Sequence, residues 1–260
     1  MPESSAVSLR FRAEGRVGVL TLSRAHKRNA LDDATVLQIE DWMHHLPAEV
    51  GALVLDAEGD HFCAGLDLNE MTERDTWAGL QHSRMWHRVF ESVEGGPVPV
   101  VSVLKGAVIG GGLELAAATH IRVAERSTFY ALPEGQRGLF VGGGGSVRLP
   151  RLIGAARMAD MMLTGRTYDA AEGSRIGLSQ YVVDDGAGFD TALDLGKRIA
   201  ENARQTNFAV IQALPRIAEA NPREGYLLES LMAAVAQGTD DAKGRMQNFL
   251  DGRAGRVGDQ

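Results

Sequence analysis

The stretch at residues 101–118 constrains the fold of this chain more than any other. It begins as the β-branched segment VSVL, passes through three consecutive glycines and ends as LELAAA, which has high helix propensity. Because no charge precedes Lys105, we expect a strand buried on both faces, then a glycine turn at 110–112 and a helix with Glu114 in its first turn. Free amides and the helix dipole at a helix start stabilise negative charge. The stretch therefore predicts an anion site, either for a phosphate on a ligand or for an oxyanion formed during a reaction.

Composition disfavours several classes of protein. With 260 residues and 44% hydrophobic side chains, the chain is long enough for one large domain with a substantial core. Its net charge of −7 argues against nucleic acid or an anionic membrane as a partner. The single cysteine, Cys63, cannot form an internal disulfide, which is typical of a reducing compartment. No leader-like segment opens the sequence and no apolar run reaches membrane-spanning length, so we expect a cytoplasmic protein.

Strand and helix patterns alternate over about two thirds of the chain, and helical patterns alone fill the rest. The expected strands cover 17–22, 52–55, the start of 101–118, 121–124, 128–131 and 181–183. The expected helices cover 31–46, 77–94, 113–118, 142–149, 155–163, 189–203, 207–220, 223–237 and 240–250. We therefore expect an α/β core domain at 1–188 and a helical region at 189–260. An apolar stripe in that region either packs on the chain's own core or forms a subunit interface: Leu227, Leu228, Leu231, Met232 and Val235.

Familiar site motifs are absent from the sequence. A dinucleotide fingerprint requires a third glycine where this chain has Leu115, and the later glycine run fails in the same way at Val147. No phosphate-binding P-loop sequence occurs. The histidine pairs are not spaced to place two ligands on one helix face, so we expect no metal site. Ser146 does not lie in a G-x-S-x-G turn, and Cys63 is typical of a small core residue.

Two glutamates near glycine turns remain as candidates for chemistry. Glu114 is expected in the first turn of a helix, and Glu134 follows a strand in the segment ALPEG. Taken singly, each is typical of a helix-terminal or loop acid. If the two turns converge, one carboxylate can act as a base and the other as an acid beside a backbone anion pocket. Sequence spacing alone does not decide whether they converge.

Four motifs, in order along the chain, resemble the crotonase (enoyl-CoA hydratase/isomerase) superfamily. They are LSRAHKRNAL at 22–31, HFCAGLDL at 61–68, GGGLEL at 110–115 and PEGQRGLFVGGGG at 133–145. The first resembles the family's CoA-binding loop, the second and third resemble its two oxyanion-hole loops, and the third and fourth carry its two glutamates. The chain departs from the family pattern at Ala25 and Val141, where proline is usual. The resemblance extends from about residue 17 to the C-terminal helices.

The resemblance implies an α/β fold, with a crotonase-type spiral of ββα turns at 1–188. It implies that the all-α region at 189–260 builds trimers or dimers of trimers. Glu114 and Glu134 would be catalytic, and the N–H groups of Leu66 and Gly111 would form an oxyanion hole. The implied substrate- and CoA-binding residues are Arg24, Lys27, Arg28, Ala30, Ala64, Asp67, Gly110 and Gly142. No metal and no separate cofactor are implied, because CoA is part of the acyl-CoA thioester substrate.

Because hydratases of the family that the chain resembles use both glutamates, the resemblance implies a hydratase that adds water to a 2-enoyl-CoA. The phrases HFCAGLDL and ALPEGQRGLF look closest to the methylthioacryloyl-CoA hydratase branch. Because one fold hosts many reactions, an enoyl-CoA isomerase or a hydroxycinnamoyl-CoA (feruloyl-CoA) hydratase-lyase remains an alternative. An RNA-binding member of the superfamily is disfavoured by the net charge. The residues that either line an acyl pocket or belong to the core are Met71, Trp77, Leu80, Met85, Trp86, Phe90 and Phe140.

Overall fold

The computed structural model describes residues 8–67, 69 and 74–253. The start of the chain, Leu68 of the second motif and Met71 of the acyl-pocket set lie outside these residues. The strands of the described part are β1 (Leu9–Glu14), β2 (Val17–Leu22), β3 (Ala52–Ala57), β4 (Val100–Leu104), β5 (Ala107–Ile109), β6 (Ile121–Glu125), β7 (Phe129–Ala131), β8 (Tyr168–Asp169) and β9 (Tyr181–Val183).

Helices follow most of the strands. The α-helices of the described part are α1 (Asp33–His44), α2 (Thr76–Glu94), α3 (Gly111–Ala118), α4 (Gly145–Ile153), α5 (Ala155–Thr164), α6 (Ala170–Ile176), α7 (Gly188–Glu201), α8 (Arg204–Phe208), α9 (Leu214–Glu219), α10 (Pro222–Gln237) and α11 (Asp240–Leu250). Short 3-10 helices cover Ala25–Lys27 and Gly135–Arg137, and a π-helical segment, Ala209–Ala213, separates α8 from α9. None of the described helices is long and apolar enough to cross a membrane.

A six-stranded sheet runs in the order β1-β2-β3-β4-β6-β9. The β1–β2 hairpin is antiparallel, and all other pairs in this sheet are parallel. β3 and β4, in the middle of the sheet, are buried almost throughout, as their unbroken apolar patterns predict. α1 begins after Asp32, whose side chain accepts the Thr35 amide and caps the helix.

A second, three-stranded sheet corrects the reading of the 101–118 stretch. The single strand expected before the glycine turn is two strands, β4 in the large sheet and β5 in the small sheet, whose order is β5-β7-β8. The chain changes direction at Gly106, which has φ +49 and leaves no room for a Cβ beside the Asp60 carbonyl. β5 and β7 are parallel, with Ile109 opposite Ala131. This small sheet carries the start of α3.

Two strands and one α-helix of the described part have no counterpart among the expected elements. β1 was missed because Arg10, Arg12 and Glu14 interrupt its apolar pattern on an edge strand. β8 has two residues and α6 has seven, which is too short for a periodic pattern to be recognised. The helix expected at 142–149 begins later, at Gly145, because Gly144 has φ +95 and cannot be part of an α-helix.

The chain divides into two compact units between Arg198 and Ile199. The boundary expected at 188/189 lies at the start of α7, and this division lies near the end of the same helix. The first unit contains both sheets and helices α1 to α6. The second unit contains only helices in its described part, and its apolar stripe is split: Leu227, Leu231 and Val235 are exposed, whereas Leu228 and Met232 are half-buried.

Candidate active site

The small sheet brings the two glutamate-bearing segments together. β5 and β7 run parallel, so the segments that follow them leave the sheet at the same end. The Gly110 amide donates a hydrogen bond of 3.0 Å to the Ala131 carbonyl at that end. Glu114 lies one helical turn beyond Gly110, and Glu134 lies three residues beyond Ala131. The convergence on which the acid–base hypothesis depends is therefore present.

A cavity of about 650 Å³ lies where these segments meet. Its wall contains both glutamates and five further residues from the predicted site: Ala64, Leu66, Gly110, Gly111 and Gly142. Further lining comes from α2 and from residues 139–143, and includes His82, Ser83, Trp86 and Phe140. All of these residues belong to the first unit. The cavity is large enough for the reacting part of a small organic ligand.

Two backbone amides lie side by side on the cavity wall. A Cβ built on Gly111 would stand 3.6 Å from the Leu66 nitrogen, and one built on Gly65 would stand 3.5 Å from the Gly111 nitrogen. Among the described residues, neither the Leu66 N–H nor the Gly111 N–H donates a hydrogen bond to a protein acceptor. Gly111 is the first residue of α3, so the positive end of the helix dipole points to the same place. The pair can stabilise an oxyanion in the cavity.

Glu114 is buried and held by the glycine turn before α4. Its side chain is 3% exposed, and its Oε1 accepts hydrogen bonds of 2.8 Å from the Gly143 amide and 2.7 Å from the Gly145 amide. Burial raises the pKa of Glu114, whereas these amides and the nearby Arg148 guanidinium act in the opposite direction. A Cβ on residue 145 would stand 2.7 Å from the Glu114 Cγ, so the turn requires glycine there.

Glu134 lies in the turn between β7 and the 3-10 helix Gly135–Arg137. Its Oε2 is buried and has no hydrogen-bond partner among the described residues. Burial, together with the charge of Glu114, raises the pKa of Glu134 to about 6, although its own backbone amide and Arg137 oppose the change. The two carboxyl groups thus face one cavity, and each takes up a proton more readily than an exposed glutamate does. Such a pair can hold one acid and one base at neutral pH.

The helix α2 supplies an ordered part of the cavity wall. The Trp86 Nε1 donates to Asp33 Oδ1 over 3.1 Å, and His82 Nε2 lies 2.7 Å from the same oxygen. The Trp86 ring packs edge-on against Phe90, with the ring centres 5.6 Å apart. A Cβ on Gly111 would stand 2.9 Å from the Trp86 ring, so this side chain also requires glycine at the oxyanion position.

The expected acyl-pocket residues separate into three groups. Trp86 and Phe140 line the cavity. Phe90 is fully buried in the core, and Met85 packs against that core while half-buried. Trp77 and Leu80 are exposed on α2 and are not part of the cavity wall.

The loop predicted to bind CoA lies beside the cavity and is fixed by ion pairs. Arg24 Nη2 lies 2.7 Å from Asp67, Arg24 Nη1 lies 3.0 Å from Asp32, and Lys27 Nζ lies 3.0 Å from Asp67. Burial raises the pKa of Asp67, but the Asn69 amide, Lys27 and Arg24 outweigh it and lower the pKa to about 2. Arg24 is therefore engaged within the protein, and its role toward CoA stays a prediction.

The remaining loop residues have different surroundings. Arg28 is exposed, and its carbonyl accepts the Ala64 amide over 3.0 Å, which joins the loop to the cavity wall. The Ala30 carbonyl accepts a hydrogen bond of 2.6 Å from Arg24. Neither Arg28 nor Ala30 lines the cavity, and neither do Arg24, Lys27 and Asp67.

Sequence reasoning missed three residues around the site: Ser83, Arg148 and Asn29. Ser83 and Arg148 bind carbonyl groups of the glycine turn, and no motif marks them. Asn29 is buried with φ +54, and its amide donates to the Glu58 and His61 carbonyls, which ties the two loops together. Its presence in the loop motif was the one available signal. In the described part of the chain, no group of three or more His, Cys, Asp or Glu side chains is arranged to hold a metal ion.

Comparisons with known proteins give a consistent result. The family model described as enoyl-CoA hydratase/isomerase matches residues 12–260. The short-chain-enoyl-CoA hydratase of Clostridium acetobutylicum is 30% identical over 243 residues, which cover 92% of this chain and 93% of that protein. The crystal structure of a candidate enoyl-CoA hydratase from Rhodopseudomonas palustris CGA009 is 59% identical, with a TM-score of 0.92 and 95% of each chain covered. An enoyl-CoA hydratase structure from Bacillus anthracis is 26% identical, with a TM-score of 0.89 over 97% of this chain and 100% of that one.

Proposed function

The chain belongs to the enoyl-CoA hydratase/isomerase family and is an enoyl-CoA hydratase, and we propose that it works through Glu114, Glu134 and the amides of Leu66 and Gly111. The reaction is the addition of water across the 2,3 double bond of a 2-enoyl-CoA thioester. One observation carries the proposal: both glutamates line one cavity together with Leu66 and Gly111, whose amides carry the proposed donors. An α,β-unsaturated thioester needs these groups together, because water adds at C3 while negative charge develops on the thioester oxygen.

The two amides are assigned to that developing charge. The thioester oxygen accepts hydrogen bonds from the N–H groups of Leu66 and Gly111, which have no protein acceptor in the described part of the chain. When the water oxygen bonds to C3, the electron pair of the double bond moves toward the thioester carbonyl. The product is an enolate whose negative charge lies on the thioester oxygen. Donors that are already fixed stabilise the enolate without reorganising, and one such donor is typically worth about 10²–10³ in rate.

The two glutamates are assigned opposite proton transfers. Glu114 takes the proton from the attacking water, because the amides of Gly143 and Gly145 bind its Oε1 and stabilise the carboxylate against the burial that raises its pKa. Glu134 gives a proton to C2 as the enolate collapses, because its buried, unpartnered Oε2 favours the protonated form. The added atoms amount to one water molecule, and proton exchange with solvent then restores both residues.

The acyl group and the CoA contacts belong to the same proposal. The resemblance of HFCAGLDL and ALPEGQRGLF to the methylthioacryloyl-CoA hydratase branch supports a short enoyl group that carries a thioether. The basic residues Lys27 and Arg28, next to the cavity wall, support a site for CoA phosphates. Exposed Leu227, Leu231 and Val235 on α10 support self-association of the helical unit, as the family resemblance implies.

An absorbance assay for loss of the conjugated thioester tests the function. The enzyme is offered crotonyl-, methylthioacryloyl-, long-chain enoyl- and feruloyl-CoA, and the products are identified by mass spectrometry. Hydration adds the mass of one water, isomerisation leaves the mass unchanged, and a hydratase-lyase releases an aldehyde and acetyl-CoA. We expect hydration with at least one short-chain ester. If every active substrate gave a product of unchanged mass, the enzyme would be an isomerase and the proposed hydration would be wrong.

The same assay tests the glutamates. We expect Glu114→Gln and Glu134→Gln each to lower hydration by about 10²–10⁴, since each removes one proton-transfer group. The dissociation constant for the CoA ester should stay nearly the same, because neither change removes a binding charge that faces CoA. Glu229→Gln, an exposed position on α10, is the control and should remain fully active. Full activity in both active-site variants would remove the mechanism.

A further inference from the structure

A single peptide group connects Ser83 to Glu114. The peptide between Gly142 and Gly143 donates its N–H to Glu114 Oε1 over 2.8 Å. Its carbonyl, that of Gly142, accepts the Ser83 hydroxyl over 2.7 Å. Ser83 therefore binds the carbonyl of the same peptide group whose N–H binds the Glu114 carboxylate. Hydrogen bonds arranged in such a chain polarise one another, so the Ser83 bond strengthens the N–H as a donor to Glu114.

The glycine turn needs this support because its residues have no side chains to fix it. Gly144 has φ +95, and a Cβ on Gly143 would stand 2.9 Å from the Phe90 ring, so glycine is required at both places. The turn is instead held by bonds to its carbonyl groups. Ser83 binds the Gly142 carbonyl, and Arg148 Nη1 binds the Gly143 carbonyl over 3.1 Å.

Among the described residues, few charged groups lie around the hydrogen bonds that connect Ser83 to Glu114. Glu134 and Arg148 act electrostatically on Glu114 from the β7 turn and from α4. His87, one turn beyond Ser83 on α2, places its Nε2 3.3 Å from the Ser83 oxygen. Burial and the neighbouring arginines lower the pKa of His87, while the Gly142 carbonyl opposes that change.

We propose that Ser83 is a positioning residue for the hydration, acting on Glu114 through the Gly142–Gly143 peptide. This inference rests on the proposed function, since it concerns the base of that reaction. Ser83 itself needs no contact with the reacting atoms. Its hydroxyl sets the position and the donor strength of one of the two amides that favour the ionised form of Glu114. Arg148 holds the adjacent carbonyl independently, so loss of the Ser83 bond should weaken this effect while the turn stays folded.

The test compares two serines on the same helix with crotonyl-CoA as the substrate. Ser83→Ala should lower kcat about 10-fold, the loss expected for one hydrogen bond, and leave KM within about 2-fold. Because the amide then favours the carboxylate less, the pKa of Glu114 rises and the acidic limb of kcat/KM moves to higher pH. Ser83→Thr keeps the hydroxyl and should restore most of kcat and the original limb. Ser92→Ala is the control, since that hydroxyl donates to the Val89 carbonyl within α2 and to no other acceptor among the described residues.

Two results overturn the inference. One is a Ser83→Ala enzyme whose kcat and acidic limb equal those of Ser92→Ala. The other is a Ser83→Ala enzyme whose melting temperature falls or whose KM rises while the acidic limb of kcat/KM stays in place. That result would indicate a purely structural role. If Ser83→Ala does not fold, Ser83→Cys, which keeps the volume and weakens the donor, takes its place with the same expectations. A wild-type enzyme that hydrates no enoyl-CoA contradicts the proposed function instead, and so does a fully active Glu114→Gln variant.

Discussion

Gly110 and Glu134 lie so close together that a Cβ on residue 110 would stand 2.6 Å from Glu134 Oε1. Gly110 also has φ +52 and ψ −122, a conformation that L side chains rarely adopt. The residue therefore serves two purposes. It turns the chain from β5 into α3, and it leaves the space that one carboxyl group of the site occupies.

Replacing Gly110 by alanine should displace the Glu134 carboxylate. The new Cβ overlaps Oε1, and a displacement of about 1 Å at a reacting group typically costs about 10²-fold in rate. We therefore expect kcat for crotonyl-CoA to fall by about 10² in Gly110→Ala. Gly15→Ala is the matched control, because Gly15 has a similar φ of +61 with nothing within 4 Å of its Cβ position. Both variants should lose about 1–2 kcal/mol of stability from backbone strain, but only the first should lose activity. Equal kcat values in the two variants would contradict the steric explanation.

The pH dependence of stability should reveal a cost of the Glu134 carboxylate. Its pKa in the folded protein is about 6, above its ordinary value of 4.5, so between these values the folded protein binds more protons than the unfolded one. Stability from this group is therefore complete below pH 4.5 and is lost as pH rises through 6. The loss is at most about 2 kcal/mol, and about 1 kcal/mol after solvent screening of a half-buried group.

Glu134→Gln removes that titration and gives the measurement. The difference in Tm between the variant and the wild type should become more favourable to the variant by about 2–4 °C from pH 5 to pH 8, the shift that about 1 kcal/mol produces in a chain of this size. Any constant cost of burying the amide cancels between the two pH values. Glu229→Gln should show no such change. A Tm difference that is equal at both pH values would mean that Glu134 is not destabilised by its site.

Hydrophobic patterns predicted the central strands because those patterns are local. The buried runs of β3 and β4 and the period of α2 can be read from a few consecutive residues. The division of the 101–109 segment into β4 and β5 could not be read in this way. It depends on the left-handed turn at Gly106. A glycine after a lysine does not indicate which sheet the following residues join.

The composition of the candidate site was predicted better than its geometry. Glu114, Glu134, Leu66 and Gly111 were named from motifs, and the cavity contains all four. Their convergence depends on the pairing of β5 with β7, which is a long-range contact that spacing does not encode. The role inferred for Ser83 depends on one hydroxyl meeting one carbonyl 59 positions away, so no local pattern could indicate it.

A final prediction concerns the basic loop at 22–31, whose two arginines differ in exposure and in ion pairing. Arg24 is held by Asp32 and Asp67 with only 13% of its side chain exposed, whereas Arg28 is exposed and forms no ion pair within the described residues. Arg24→Gln should therefore remove the ion pair of Asp32 and leave Asp67 paired with Lys27 alone, which should lower stability by about 1–3 kcal/mol, measured as a fall in Tm. Arg28→Gln should leave Tm unchanged.

Kinetic measurements test whether Arg28 contacts CoA. If Arg28 meets a CoA phosphate, Arg28→Gln should raise KM for crotonyl-CoA about 3–10-fold without changing kcat, which is the size expected for one solvent-screened charge contact. The effect should shrink as salt is added, because an exposed charge pair is screened within about 10 Å at 0.1 M. Arg10→Gln, an exposed arginine on β1, provides the control for removal of a surface charge. An unchanged KM for Arg28→Gln at low salt would exclude this arginine from the CoA site, and the phosphate contacts would then have to come from Lys27 or from residues elsewhere.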